Sequence, residues 1–279
     1  MKLNKPLRRP VMLTIKTRVL FLTGLLLALN GMAANAQLPS PNTSGVSSGH
    51  THLIVPNVAK HREIWKLLGG VERSSGRLQA LMFPGMFILL REGQPSATSV
   101  NTTANHIGFT INDYALYKAK LEAVEASFFM DDGVGQIIAD LPDGVRIELA
   151  LDAEQDLPIM FHHTHLSPAN TGELRQWYVE VFGAEIGERR GMPSAVIPGG
   201  RVDFLENPNG DPLATQGTAI DHIGFEVADL DAFAQRIDAM GIVFNRAPEC
   251  IAAIELCIAF ITDPKGTYIE LTQGLARIQ

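Results

Sequence analysis

The chain has 279 residues, enough for one or two domains with a sizeable core. It carries 23 Lys and Arg against 30 Asp and Glu, a net charge of −7. Six of the basic residues and no acid fall within residues 1–36, which leaves the remainder at 17 against 30, a net of −13. That balance, with no basic cluster, excludes nucleic acid or an anionic membrane surface as a partner.

In chain order, the basic stretch from Lys2 to Arg18, the apolar run 19–29 and Ala34-Asn35-Ala36 read as a secretory leader cleaved after Ala36. This predicts a periplasmic or secreted protein. The run of 11 residues falls short of the roughly 20 that cross a bilayer, so no stable membrane insertion is expected once the leader is gone. Residues 37–49, rich in Ser, Pro and Gly, read as a flexible tail.

A fourfold repeat follows. "HTHLIVPN" (50–57), "HIGFTIND" (106–113), "HTHLSPAN" (163–170) and "HIGFEVAD" (222–229) each open on a histidine and end on Asn or Asp seven residues later. The histidines are 56, 57 and 59 residues apart, a near-constant period that marks repeated supersecondary units. Each copy reads as a strand, an Asn or Asp N-cap (Asn57, Asp113, Asn170, Asp229), a helix, and β-prone pieces ending in a hairpin. The hairpin turns are "FPG" (83–85), "PDG" (142–144), "PGG" (198–200) and "DPKG" (263–266). A unit is therefore βαβββ and about 55 residues, too small to bury a curved sheet alone, so units must pair. Units 1 and 3 share His-Thr-His, units 2 and 4 share His-Ile-Gly-Phe, giving an ABAB order. Cys250 and Cys257 read either as a disulfide or as two buried thiols in a strand pair.

The closing strands carry a second register. Four residues after the turn glycine come Glu148, Asp203 and Glu270, with Leu89 at the matching place in unit 1. Acids inside apolar strands need partners. Imidazole and carboxylate donors with no Cys suit Fe²⁺, Mn²⁺, Ni²⁺ or Zn²⁺. The seven metal-ligand candidates are His50, His106, Glu148, His163, Asp203, His222 and Glu270, for one divalent ion with room for a second site. His52 and His165 fall on the same strand faces as these ligands, and Tyr268 shares the face of Glu270.

The paired units, "DHIGFEVADLDAF" (221–233) and above all "AFITDPKGTYIELTQGL" (259–275) resemble the vicinal oxygen chelate superfamily, which includes glyoxalase I, methylmalonyl-CoA epimerase, extradiol dioxygenases and bleomycin-resistance proteins. The resemblance implies an α+β fold in which four βαβββ modules pair into two glyoxalase-like domains with cupped, incomplete-barrel mixed sheets. The expected domains are 50–155 (modules 50–98 and 104–155) and 161–279 (modules 161–208 and 218–279). Pairing the two outer units with each other and the two inner units with each other is the alternative, and it would assemble His106–Glu148–His163–Asp203 and His50–His222–Glu270. The resemblance also implies a small-molecule substrate that chelates the metal through neighbouring oxygens. A lyase or isomerase of glyoxalase or epimerase type ranks first, with His163, Asp203, His222 and Glu270 as metal set, Glu270 and His165 as catalytic groups, and His52 and Tyr268 against substrate. An extradiol ring-cleaving dioxygenase ranks second. That family's motif has a Tyr where Phe260 stands and a His within the stretch that is "CIAAIELCIA" (250–259) here. A non-catalytic binder ranks third, because such relatives generally lack the metal ligands.

Overall fold

The computed structural model describes residues 38–278 except 77 and 211; the secretory leader expected at 1–36 lies outside them. The four units are each βαβββ. Unit 1 comprises β1 (Val46–Val55), α1 (Val58–Leu68), β2 (Val71–Ser75), β3 (Leu78–Phe83) and β4 (Met86–Glu92). Unit 2 comprises β5 (Ala104–Ile111), α2 (Tyr114–Ala123), β6 (Ser127–Asp131), β7 (Gln136–Asp140) and β8 (Arg146–Leu151). Unit 3 comprises β9 (Ile159–Leu166), α3 (Thr171–Phe182), β10 (Glu185–Arg189), β11 (Met192–Ile197) and β12 (Gly200–Phe204). Unit 4 comprises β13 (Ile220–Val227), α4 (Leu230–Ala239), β14 (Phe244–Ile251), β15 (Leu256–Thr262) and β16 (Tyr268–Gln273). All four caps form as expected: the side chains of Asn57, Asp113, Asn170 and Asp229 accept from the backbone N–H three residues on. Each satisfies a first-turn donor that the helix itself leaves free.

The units form two open, mixed, eight-stranded sheets. One runs β14-β15-β16-β13-β1-β4-β3-β2, the other β10-β11-β12-β9-β5-β8-β7-β6. Unit 1 therefore pairs with unit 4, and unit 2 with unit 3. The grouping of 50–155 and 161–279 as two separately paired domains is corrected by this strand order, which follows the alternative of outer with outer and inner with inner. The physical cause is visible at the joins. The link from β8 to β9 is short, and β9 lies antiparallel to β5 with Gly108 opposite His163 and His106 opposite His165. The outer join repeats it, with β1 antiparallel to β13, His50 opposite Gly224 and His52 opposite His222. The two longer linkers run beside each other, Ser96 N–H donating to Gly217 O (2.9 Å) and Ala219 N–H to Ala97 O (3.0 Å).

The tail is also corrected. Val46–Gly49 belong to β1, because Val46, Ser47 and Ser48 pair with Val227, Glu226 and Phe225. The Asn42 side chain donates to Phe182 O and Gly183 O, both at 3.0 Å, and holds the preceding turn.

Strand alternation sorts the two faces of each sheet. Leu81, Phe83, Met86, Ile88, Ile107, Phe109, Ile223 and Phe225 face the helices and join one continuous core shared by both sheets. Trp65 of α1 is fully buried there, its ring 6.0 Å from Phe83 and 6.2 Å from Phe109, so it bridges unit 1 to unit 2. Trp65→Ala is expected to cost about 3–5 kcal/mol of unfolding free energy, read as a lowered denaturant midpoint. The histidines face the opposite way, into a cup on each sheet. Ala80, Met82, Phe87, Leu89, Ile258 and Phe260 make the outer cup apolar away from its histidines, and Leu275 and Ile278 pack against them. Glu226 fixes that C-terminal turn by accepting from the N–H of Gly274 (2.7 Å) and Leu275 (3.3 Å). Cys250 and Cys257 pair across β14 and β15 and form a disulfide. No helix among the described residues is long and apolar enough to cross a membrane.

Candidate metal centres

The outer cup gathers His50 from β1, His222 from β13 and Glu270 from β16. Glu270 Oε2 lies 2.9 Å from His50 Nε2 and 2.9 Å from His222 Nε2. All three residues are buried. Gly224 makes the arrangement possible. It stands opposite His50 and also pairs with Glu270, and a Cβ there would sit 2.0 Å from His50 Cε1. The glycine of His-Ile-Gly-Phe is thus the space into which the partner unit's imidazole fits. Gly108 does the same for His163 in the inner cup, again at 2.0 Å.

Electrostatics make this set ready for a cation. His222 Nδ1–H donates to Asp221 Oδ1 at 2.7 Å. A neutral His222 then has only a lone pair at Nε2, and that lone pair faces a carboxylate oxygen. A cation between them, proton or metal, satisfies both. Burial pulls the His222 pKa down, but the bonds to Asp221 and Glu270 outweigh it and leave it above the ordinary value. Burial pushes Glu270 up, and its two histidine partners hold it well below the usual carboxylate range. Burial lowers His50, whose Nδ1 has no hydrogen-bond partner. Two imidazoles and one carboxylate converging on one point fit a divalent ion of the Fe, Mn, Ni or Zn type. Asp221 is the orienting partner such a histidine needs. Asp221→Asn is expected to weaken divalent-ion affinity about 10–100-fold, measured by competition with a chelating dye.

His52 and Tyr268 line the adjoining cleft of about 430 Å³, together with Arg91, Arg246 and Phe260. The Phe260 and Tyr268 rings stack at 4.9 Å with an interplanar angle of 16°. The His52 ring lies 4.7 Å from that of His222, and burial together with His222 lowers its pKa to about 3. It is a neutral imidazole at physiological pH. Leu89 stands opposite His52 on β4, where a fourth acid would be.

The inner cup gathers His106, Glu148, His163, His165 and Asp203. Glu148 Oε2 is 3.2 Å from His106 Nε2 and 3.4 Å from His163 Nε2. Donor nitrogens of His106, His163 and His165 lie within 4.8 Å of one another. His165 has no hydrogen-bond partner at either nitrogen, and burial holds its pKa well below the ordinary value. Asp203 accepts from Ser194 Oγ at 2.5 Å, and burial raises its pKa. Arg189, unmarked by the sequence register, reaches into this cup and pairs with Glu148.

The set His163–Asp203–His222–Glu270 expected for a lyase or isomerase is therefore divided: His163 and Asp203 lie in one cup, His222 and Glu270 in the other. The expected catalytic pair Glu270 and His165 is divided the same way. The cause is the pairing of unit 1 with unit 4 and of unit 2 with unit 3. Among residues the sequence reading missed, Asp221 carried a signal, an acid directly before the histidine where unit 2 has Asn105. Arg189 carried none.

Two cups built from four βαβββ units, with histidines and acids on their inner faces, define the glyoxalase-like class of folds. Residues 160–271 match the family model for the Glyoxalase/Bleomycin resistance protein/Dioxygenase superfamily. Glyoxalase I from Zea mays superposes with a TM-score of 0.64 at 14% identity, covering 83% of this chain and 94% of that one. A proposed dioxygenase from Bacillus subtilis superposes at 0.62 with 12% identity, covering 86% of both chains. No curated protein matches the chain by sequence.

Proposed function

We propose that the protein is a metal-dependent enzyme working in the outer cup on a small molecule that presents two neighbouring oxygens, and that it consumes O₂ as a ring-cleaving dioxygenase does. The observation that carries this is the three-membered donor set His50, His222 and Glu270, with Leu89 in the fourth place. Two histidines and one carboxylate on one side of an ion leave positions open for substrate and O₂. A lyase or isomerase of glyoxalase type calls for a fourth ligand that doubles as base, and Asp203 lies in the other sheet. A bound divalent ion of iron or manganese supplies Lewis acidity and a position for O₂.

The chain's own groups then have separate tasks. Asp221 keeps His222 turned toward Glu270. The stacked rings of Phe260 and Tyr268 offer a flat apolar wall suited to a planar substrate. Arg91, whose side chain is 57% exposed, and Arg246 line the cleft and favour an anionic one. His52, neutral beside the ion site, accepts a hydrogen bond from a substrate hydroxyl. That last feature also favours a second reading, an O₂-independent isomerisation in which His52 carries the proton.

An oxygen electrode decides between the two. Protein loaded with Fe²⁺ or Mn²⁺ and offered a panel of catechols is expected to take up one O₂ per product, with both atoms entering the product. Turnover under argon would transfer the assignment to the isomerase or lyase class. Metal binding without turnover of either kind would leave a binding protein. We also propose that residues 1–36 direct export; intact mass of protein recovered from the periplasm is expected to begin at Gln37, and a retained leader would refute this.

A further inference from the structure

We propose that the two cups have divided their chemistry: the outer cup holds the divalent ion, and the inner cup is a metal-free pocket in which the Arg189 guanidinium is the resident cation. The outer-cup half rests on the metal set of the proposed function; the inner-cup half concerns Arg189 and its partners, which that reading does not use.

Arg189 ends β10 beside the turn Arg190-Gly191, whose φ values of 50° and 82° reverse the chain sharply. Its side chain is directed into the cup and is 9% exposed. Nη2 donates to Glu148 Oε1, and Nη1 lies 3.6 Å from Asp203 Oδ2. Gln136 Nε2 donates to the same Glu148 oxygen at 2.9 Å. Both acids that the inner ligand set would contribute are thus matched to a fixed positive charge. The other Glu148 oxygen is the one facing His106 and His163, so an ion held by those histidines would sit close to the guanidinium and be repelled by it. The outer cup has no guanidinium on its ligand carboxylate: among the described residues Glu270 pairs only with His50 and His222, and Arg91 reaches Asp221 instead, at 3.3 Å.

A second difference points the same way. Behind His222 stands the carboxylate of Asp221, at 2.7 Å; behind His106 stands the amide of Asn105, at 2.9 Å. A carboxylate raises the basicity of a ligating imidazole, and a neutral amide does so far less. The inner cup still keeps three histidines within reach of one point, so removal of the guanidinium alone should reopen it.

The test is metal content per chain by elemental analysis after saturation with Mn²⁺ or Zn²⁺ and desalting. One equivalent is expected for the wild type, none for His222→Ala, one for His106→Ala, and two for Arg189→Met. Two equivalents in the wild type would overturn the proposal, as would an ion that survives His222→Ala and is lost from His106→Ala. A folded Arg189→Met protein with no gained ion would overturn the role given to Arg189. Arg189→Gln replaces it if the Met variant does not fold. A wild type that takes up no ion at all sinks the outer-cup reading instead. Arg189→Met then decides the inner cup alone, one gained ion upholding the role given to Arg189 and none overturning it.

Discussion

His222→Ala is expected to empty the outer cup of its ion and abolish turnover. Structural zinc sites bind with about 10–16 kcal/mol in total, so one ligand of about four is worth roughly 3 kcal/mol, on the order of a hundredfold or more in affinity. The variant loses more than a ligand. Glu270 keeps only His50, and the buried carboxylate of Asp221 keeps Arg91 and the Gly217 N–H but loses its imidazole. Breaking a buried pair by removing one partner costs about 3–5 kcal/mol. The measurement that separates the two losses is a thermal melt with and without chelator. A bound ion stabilises the folded state by mass action, so EDTA should lower the melting temperature of the wild type and leave that of His222→Ala unmoved. An equal chelator effect on both proteins would place the ion elsewhere. His50→Ala should repeat the metal loss while leaving Asp221 paired, a check that the effect belongs to the ligand set.

Gly224→Ala is expected to do nearly as much damage with a single methyl group. Its Cβ would fall 2.0, 2.1 and 2.6 Å from three atoms of the His50 ring, and His50 is only 2% exposed. Overpacking of this kind costs about 1–3 kcal/mol. Here it also displaces a ligand nitrogen, so metal content should collapse with stability. Gly108→Ala meets the His163 ring at the same 2.0 Å. It should lose comparable stability and, on the proposed division of the cups, keep its ion. Denaturant unfolding and elemental analysis on the two variants together give the contrast. Loss of the ion from Gly108→Ala rather than Gly224→Ala would reverse the assignment of the two cups.

The units, their caps and their turns were legible because each depends on neighbours close in sequence: an Asn or Asp three residues from the N–H it caps, a glycine where a hairpin reverses. The histidine and acid registers were legible for the same reason, since strand alternation fixes which face they share. The pairing was not. An A-type unit meets a B-type unit whether 1 joins 2 or 1 joins 4, and His50 would find a His-Ile-Gly-Phe glycine either way. Only the long-range antiparallel match of β1 with β13 chooses. The structure gives the ABAB grain a physical meaning, because the imidazole of one type occupies the Cβ space missing from the other. Arg189 stayed invisible because it sits at the base of a hairpin turn, where no periodicity marks a side chain that turns back into a cup.

The nested pairing orders the events of assembly. His106 and Glu148 are 42 residues apart and His106 and His163 are 57 apart, whereas His50 and Glu270 are separated by 220. Closing a longer loop costs more entropy, and distant contacts form later. A chain emerging N-terminus first can close its middle sheet while β1 still waits for β13. The residues proposed to hold the ion meet only once the last unit has been made, so a chain cut short before β13 has half an outer cup.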